Sequence, residues 1–154
     1  YGVTLQHMKL HGAFYNTACV TPALADAVLD GLQAVNPNIA AMVLSGSYIA
    51  KEAQRRGIPV IQEVFADRGY TDEGTLVPRT EPGAFIKDPQ EALERVLMMV
   101  TEGKVVTNTG NTIDIVADSV CVHGDNPEAI AFTNYIREGL TKAGVTVANF
   151  QNRK

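Results

Sequence analysis

The sequence predicts an α/β fold with a mostly parallel sheet, and three observations lead to this prediction. Short apolar runs alternate along the chain with segments of helical periodicity, as in proteins built from β/α units. The run at residues 39–44 is continuously apolar, which is typical of a strand buried on both faces. Polar side chains collect directly after several runs, where parallel sheets bind ligands. The chain has 154 residues and no linker-like segment, so residues 1–154 are predicted to form a single domain.

The first half of the chain is predicted to contain three strands and two helices. Residues 2–10 form the first strand, and Gly12 then favours a tight turn or a close approach to a ligand. The first helix begins at Thr21-Pro22, a capping residue followed by a proline. Its predicted apolar face consists of Leu24, Val28, Leu32 and Val35. The remaining elements are a strand at residues 39–44, a helix that opens at Ser45-Gly46-Ser47 and closes at Gly57, and a strand at residues 58–65.

The second half begins with a long polar segment that ends near Gly83 and has no helical pattern. Such a segment is unusual in a compact domain and is often functional. Residues 104–115 are ambiguous and can hold two short strands around a polar turn. The other predicted elements are a helix from Asp88 to Gly103, a strand within residues 116–122, a helix from Asn126 to Gly144 that carries Ile130, Tyr135, Ile136 and Leu140, and a short strand at residues 145–147.

Composition excludes several classes of function. The net charge is -4 and the pI is about 5.3, which argues against a nucleic-acid or anionic-membrane surface, because both require clustered Lys and Arg. Cys19 and Cys121 are the only cysteines, so no disulfide framework is expected and a cytoplasmic location is favoured. No apolar run reaches the roughly 18–20 residues that span a bilayer. The chain begins with Tyr1 rather than Met, which suggests a fragment or a processed form.

Four clusters of reactive side chains follow predicted strands. Because the carboxyl ends of parallel strands meet at one edge of a sheet, these clusters are expected to converge on one site. Lys9 is the hardest to explain structurally, since a lysine on a buried strand must reach solvent, pair with a carboxylate or serve a ligand. The clusters are His7, Lys9, His11 and Asn16; Ser45 and Ser47; Glu63, Asp67 and Arg68; and His123 with Asp125.

Structural roles remain open for several of these residues. Asp67 and Arg68 can form a surface ion pair, Asp125 can be a turn residue, and the two serines can be helix caps. A metal site of His7, His11 and His123 with one of the aspartates is a further alternative. Neither common nucleotide-binding fingerprint occurs in the sequence, and neither does the nucleophile elbow of serine hydrolases.

Three segments together resemble a known family. Residues 7–16 (HMKLHGAFYN) resemble its block HVKPHGALYN. Residues 63–70 (EVFADRGY), followed by 74–79 (GTLVPR) and 82–84 (PGA), resemble a second block, and residues 121–125 (CVHGD) a third. The family is LamB/YcsF, the A subunits of bacterial ATP-dependent 5-oxoprolinases. Within the blocks the departures are mild: Met8 and Phe14 are apolar replacements, Leu10 stands where proline is usual, and Gly69 stands where alanine is common.

The resemblance implies a barrel-like β/α fold related to glycoside hydrolases and polysaccharide deacetylases. It implies ATP-dependent opening of the 5-oxo-L-proline lactam to L-glutamate, with magnesium supplied for ATP and with two companion subunits. The family's acidic N-terminal block and its Gly-Phe-His block have no match in this chain. The chain therefore resembles the C-terminal part of a longer protein, and its barrel is expected to be incomplete.

The resemblance also suggests roles for the matching residues. Lys9 and Arg68 are expected to neutralise a phosphate or carboxylate, Asp67 or Asp125 to act as a base, and His11 or His123 to relay protons. The expected substrate-binding residues are His7, Tyr15, Asn16, Glu63 and Arg79. No residue is assigned to a metal, and whether a metal binds tightly is left open. The alternatives are a metal-dependent carbohydrate deacetylase-like hydrolase and a non-catalytic substrate-binding or scaffold protein of the complex.

Overall fold

The structure is a computed structural model that describes residue 2 and residues 4–124 and 129–149. Its helices and strands alternate through most of the chain. They are β1 (His7–Lys9), α1 (Gly12–Val20), α2 (Pro22–Val35), β2 (Ala40–Leu44), α3 (Tyr48–Arg55), β3 (Val60–Phe65), α4 (Pro89–Thr101), β4 (Lys104–Val106), β5 (Thr112–Asp114), β6 (Ser119–Cys121) and α5 (Ala129–Lys142).

Four of the strands form a parallel sheet in the order β1-β2-β3-β6. The sheet curls as half of a barrel, which confirms the predicted parallel, barrel-like β/α class. In its register Lys9 lies opposite Met42, Leu44 opposite Glu63, and Phe65 opposite Cys121. Because all four strands run in the same direction, the residues that follow β1, β3 and β6 lie along a single edge of the sheet.

The core forms where α1, α2 and α3 pack on this sheet. In α2 the buried side chains are Ala25, Leu29 and Leu32, which recur at helical spacing. The predicted apolar face of this helix was partly wrong, because Val35 is 82% exposed at its last position. A second cluster joins α4 to α5 through Val96, Ile136 and Leu140. The predicted face of α5 was likewise only half correct, since Ile130 is exposed.

Helix α1 was not predicted from the sequence. Its N-cap residue, His11, makes no side-chain capping hydrogen bond, so the usual start signal is missing. Gly12, interpreted as a turn, has a φ of 60° and opens the helix. The one signal that would have revealed α1 is the spacing of Tyr15, Ala18 and Cys19, which are its buried residues.

Two further differences concern the second half of the chain. Residues 104–115 form an antiparallel hairpin of β4 and β5, which resolves the ambiguous segment. Residues 145–147 were predicted as a strand, but in the described part of the chain they pair with no strand and line a groove beside β6 and α5. The predicted start of the last helix at Asn126 lies outside the described residues.

The long polar segment forms a folded strap, which we define as residues 66–88. Two isolated antiparallel bridges organise it, Arg68 with Phe85 and Tyr70 with Leu76. The strap is anchored inward, since Tyr70 is fully buried and its hydroxyl accepts the Phe65 amide hydrogen at 2.9 Å. It therefore joins the end of β3 to α4 without regular secondary structure and borders the carboxyl edge of the sheet.

None of the described helices is by itself long and apolar enough to cross a membrane. Helices α1 and α2 reach that length and composition only together, and they are bent by 111° at the break between them.

Candidate active site

A cleft of about 640 Å³ opens at the carboxyl edge of the sheet. Residues from the ends of β1 and β6, the N-terminus of α1 and the strap line it, as the clustering of polar residues predicts. Seven of the predicted site residues lie on its walls: Lys9, His11, Tyr15, Asn16, Arg68, Arg79 and His123.

Lys9 forms the centre of a chain of contacts in the floor of the cleft. Its Nζ donates a hydrogen bond to Glu63 Oε1 at 2.5 Å and contacts Cys121 Sγ at 3.5 Å. The other oxygen of Glu63 accepts the Tyr15 hydroxyl hydrogen at 3.0 Å. Glu63 is only 2% exposed, so a buried carboxylate has both oxygens engaged by side chains from β1 and α1. Parallel pairing through β2 brings these elements together.

The charge on Lys9 is stabilised by this arrangement. Burial alone lowers the pKa of its ammonium group, but the hydrogen bond and the charge of Glu63 outweigh burial and raise it. Burial, together with Glu63, raises the pKa of the Tyr15 hydroxyl. Burial also raises the pKa of the Cys121 thiol to about 11. At neutral pH Lys9 is therefore an ammonium group beside a neutral phenol and a neutral thiol.

His123 and Asp67 form a second pair at the same edge. His123 Nδ1 lies 2.7 Å from Asp67 Oδ2, and the His123 amide donates to the same oxygen at 3.3 Å. Because a carboxylate only accepts hydrogen bonds, this contact places the proton on Nδ1 and leaves Nε2 as the basic nitrogen. The imidazole also stacks on Phe65, with ring centroids 5.7 Å apart and an interplanar angle of 23°. The ring is thus fixed by both its edge and its face.

Arg68 connects the cleft to the strap. It is 3% exposed, and its Nε and Nη2 donate to the carbonyl oxygens of Ala84 at 2.8 Å and Val77 at 2.6 Å. Burial lowers the pKa of this guanidinium, and the nearby charge of Arg79 lowers it further. Both guanidinium groups lie against the ring of Phe85, at 5.2 Å and 5.4 Å from its centroid.

Possible metal ligands do not converge in the part of the chain that the structure describes. Within residues 4–124 and 129–149, no three His, Cys, Asp or Glu side chains are grouped as they would be to hold a metal ion.

Comparison with known proteins agrees with this geometry. The sequence profile of the LamB/YcsF family matches residues 1–154. The chain belongs to the LamB/YcsF family.

Relatives within the LamB/YcsF family carry one name. The chain is 59% identical over 143 residues to the 5-oxoprolinase A subunit of Fusobacterium nucleatum subsp. nucleatum, and the match covers 93% of this chain and 56% of the relative. It is 50% identical over 146 residues to the 5-oxoprolinase A subunit of Coprothermobacter proteolyticus, with coverage of 95% and 56%. The chain therefore spans little more than half the length of these relatives.

A solved structure has the same fold. The lactam utilization protein from Thermus thermophilus matches with a TM-score of 0.87 and 40% identity. The match covers 97% of this chain and 59% of that chain. It supports the barrel-like β/α class, which the four parallel strands already indicate.

The cleft unites most of the residues that the sequence singled out. Glu63 and Asp67 lie behind its wall and act on it through Lys9 and His123. His7 is exposed on β1 and is not among the lining residues. Asp125 lies outside the described residues.

Sequence reasoning missed one residue of the site. Cys121 was interpreted as a buried thiol, but it contacts Lys9 and lines the cleft. The available signal was its position in the CVHGD segment, two residues before His123. Strand alternation places these two side chains on the same face.

Proposed function

We propose that the chain is the part of a 5-oxoprolinase A subunit that carries the reactive residues, and that the whole protein opens the lactam of 5-oxo-L-proline to L-glutamate. The reaction uses ATP with magnesium and two companion subunits. One observation carries the proposal: the His123–Asp67 pair and the Lys9 ammonium group lie along the same cleft. A base and a fixed cation are the two groups that amide hydrolysis needs.

The chemistry explains why ATP is required. Hydrolysis of an unstrained lactam is slow because amide resonance must be lost in the transition state. Transfer of a phosphoryl group from ATP to the lactam oxygen makes the ring carbon electrophilic. Water then adds to that carbon, the ring C–N bond breaks, the nitrogen takes a proton, and the phosphate leaves.

His123 is the base in this scheme. Asp67 holds the proton on Nδ1, so Nε2 is available to take a proton from the attacking water. The same carboxylate stabilises the imidazolium that results. Asp67 itself was a candidate base on sequence grounds, but its contact with His123 favours a role in orienting the ring. His11, at the N-cap of α1, lies on the cleft wall and remains a candidate for proton relay.

Lys9 acts as a fixed cation rather than as a base. Since Glu63 raises the pKa of its ammonium group, Lys9 stays protonated at neutral pH. Lys9 lines the cleft, and a fixed cation beside the reacting carbon stabilises a developing oxyanion.

The test is glutamate release from 5-oxoproline by the full-length protein with its two companion subunits. Asp67→Asn and His123→Gln are each expected to lower kcat by about 10²- to 10⁴-fold, the usual contribution of a positioned base. Asp30→Asn is the matched control, because Asp30 is an exposed carboxylate that pairs with Arg56 on the far flank. Its activity should equal that of the wild type.

Two results would contradict the proposal. Near-normal rates for both cleft variants would remove the pair from the chemistry and indicate a substrate-binding or scaffold role. A wild-type complex that fails to release glutamate, yet contains a tightly bound transition metal and hydrolyses N-acetyl sugars, would indicate a deacetylase.

A further inference from the structure

The buried guanidinium of Arg68 has no carboxylate partner within ion-pair distance in the described part of the chain. Two of its nitrogens are bound by backbone carbonyl oxygens. The third, Nη1, has no hydrogen-bond acceptor among the described residues, and Arg68 lines the cleft. The side chain of the adjacent Asp67 attracts it but is bonded to His123. Arginine remains protonated in proteins, so a nearly uncompensated positive charge borders the cleft.

Arg79 adds a second positive charge at the same place. It is exposed, lines the same cleft and lies 5.4 Å from the centroid of the Phe85 ring that Arg68 also contacts. Neither arginine forms an ion pair with a described residue. Two like charges near one ring repel each other, and an anion bound to both would remove that repulsion.

The third cation of the cleft is in a different state. Lys9 is already neutralised by Glu63 at 2.5 Å. The net attraction for an anion therefore lies at the two arginines and not at the lysine. This separates the cleft into an end that attracts negative charge and an end that holds a compensated ammonium group next to the reacting carbon.

We propose that Arg68 and Arg79 form the subsite that binds the carboxylate of the lactam substrate. The inference rests on the proposed function and adds which end of the substrate each cation takes. A carboxylate is planar and carries one charge, and one donor from each arginine satisfies its two oxygens. A polyphosphate requires more donors than the one open nitrogen of Arg68 and the side chain of Arg79 provide.

The experiment compares two substrates in the complete complex. 5-Oxo-L-proline and its carboxamide share the lactam and differ only in the charge at the subsite. Arg79→Gln is the variant, because Arg79 is exposed and its loss leaves the fold intact. Arg79→Gln is expected to lower kcat/KM for 5-oxoproline about 10- to 100-fold through KM, the range for a hydrogen bond to a charged group. The carboxamide should react equally well with both proteins, and KM for ATP should not change.

Two further variants sharpen the result. Arg79→Lys should recover part of the preference for the acid, since the charge is kept and the planar donor fork is lost. Arg137→Gln, an exposed arginine on α5 that does not line this cleft, should behave as the wild type.

Other outcomes would overturn the inference. A higher KM for ATP with an unchanged preference for the acid would assign the arginines to phosphate. Equal losses for both substrates would give Arg79 a role in shaping the strap. If the wild-type complex does not turn over, equilibrium binding of 5-oxoproline and its carboxamide to the full-length protein still tests the subsite. Acid and amide bound equally by the wild type would exclude it.

Discussion

Two arginines in different regions of the molecule show how the same side chain serves structure and ligand binding. Arg56, at the end of α3, donates to Glu52, Asp26 and Asp30, each at 2.6 Å. These contacts raise the pKa of its guanidinium. Arg68, at the cleft, donates only to carbonyl oxygens, and burial lowers its pKa.

The difference lies in charge compensation. Three carboxylates surround Arg56, so the flank formed by α2 and α3 has no positive charge left to offer an anion. Carbonyl oxygens hold Arg68 in place without neutralising it, so the strap positions a cation and leaves its charge available. Of the two regions, the flank is built for stability, and the cleft retains unbalanced charge that a ligand can compensate.

Glu63→Gln should have the largest effect on stability. The change leaves Lys9 without its counterion in a site where its side chain is 19% exposed. Breaking a buried ion pair costs about 3–5 kcal/mol, and the partial exposure of Lys9 reduces this to roughly 2–4 kcal/mol. Urea unfolding of the full-length protein at neutral pH measures the loss.

The same pair predicts a dependence on alkaline pH. The pKa of Lys9 is raised above its ordinary value of 10.5. Its contribution to stability is therefore complete below about pH 10.5 and is lost as pH rises through the folded-state pKa. The wild type should lose stability in that window, and Glu63→Gln should lose less. Parallel pH profiles for the two proteins would contradict the ion pair.

Gly69→Ala should have an intermediate effect, confined to the strap. A Cβ at Gly69 would overlap the carbonyl oxygen of Gly83 and contact Val77. Overpacking of this kind costs about 1–3 kcal/mol. Because the strap carries Arg68, KM for 5-oxoproline should rise as well. Thermal unfolding and steady-state kinetics on the full-length complex measure the two effects.

Gly31→Ala is the matched control on the flank. Gly31 lies within α2, and a Cβ there meets no atom within 4 Å. Alanine is a better helix former by about 0.5–1 kcal/mol, so this variant should be slightly more stable, with unchanged kinetics. A strap variant as stable as the helix variant would show that the backbone contact at Gly83 is not tight.

Glu52→Gln should have the smallest effect and should spare catalysis. Hydrogen bonds from Arg55 and Arg56 lower the pKa of Glu52 from 4.5 to about 2. Its stabilising contribution is present above about pH 4.5 and is lost as pH falls through 2. The variant should melt below the wild type at pH 7, and the difference should shrink toward pH 2. Kinetic constants that change with Glu52 would contradict the separation between flank and cleft.

Most of the fold could be predicted from the sequence, because β2, α2, α3 and α4 carry local signals. Proline and an N-cap residue begin α2 and α4, and glycine follows α3. Helix α1 lacked those signals. The predicted strand at residues 145–147 failed because an apolar triplet does not by itself supply a pairing partner.

The candidate site was predicted in composition but not in arrangement. Strand-end clustering and the family blocks included nearly every polar residue on the cleft walls. They did not separate residues that face the ligand from those that support them. Glu63 is a buried partner of Lys9 rather than an open contact, and Cys121 touches that lysine. Such distinctions depend on which side chains meet in three dimensions.

The sequence by itself determined the alternation of strands and helices, the family blocks and the residue types at the strand ends, because local periodicity and residue chemistry are properties of neighbouring positions. The tertiary structure decided the pairing. Lys9 and Glu63 are 54 positions apart, and Asp67 and His123 are 56 apart. Only parallel strand pairing brings them together. It also decided that Lys9 is neutralised whereas Arg68 is not, because charge compensation depends on distance through space and not on distance along the chain.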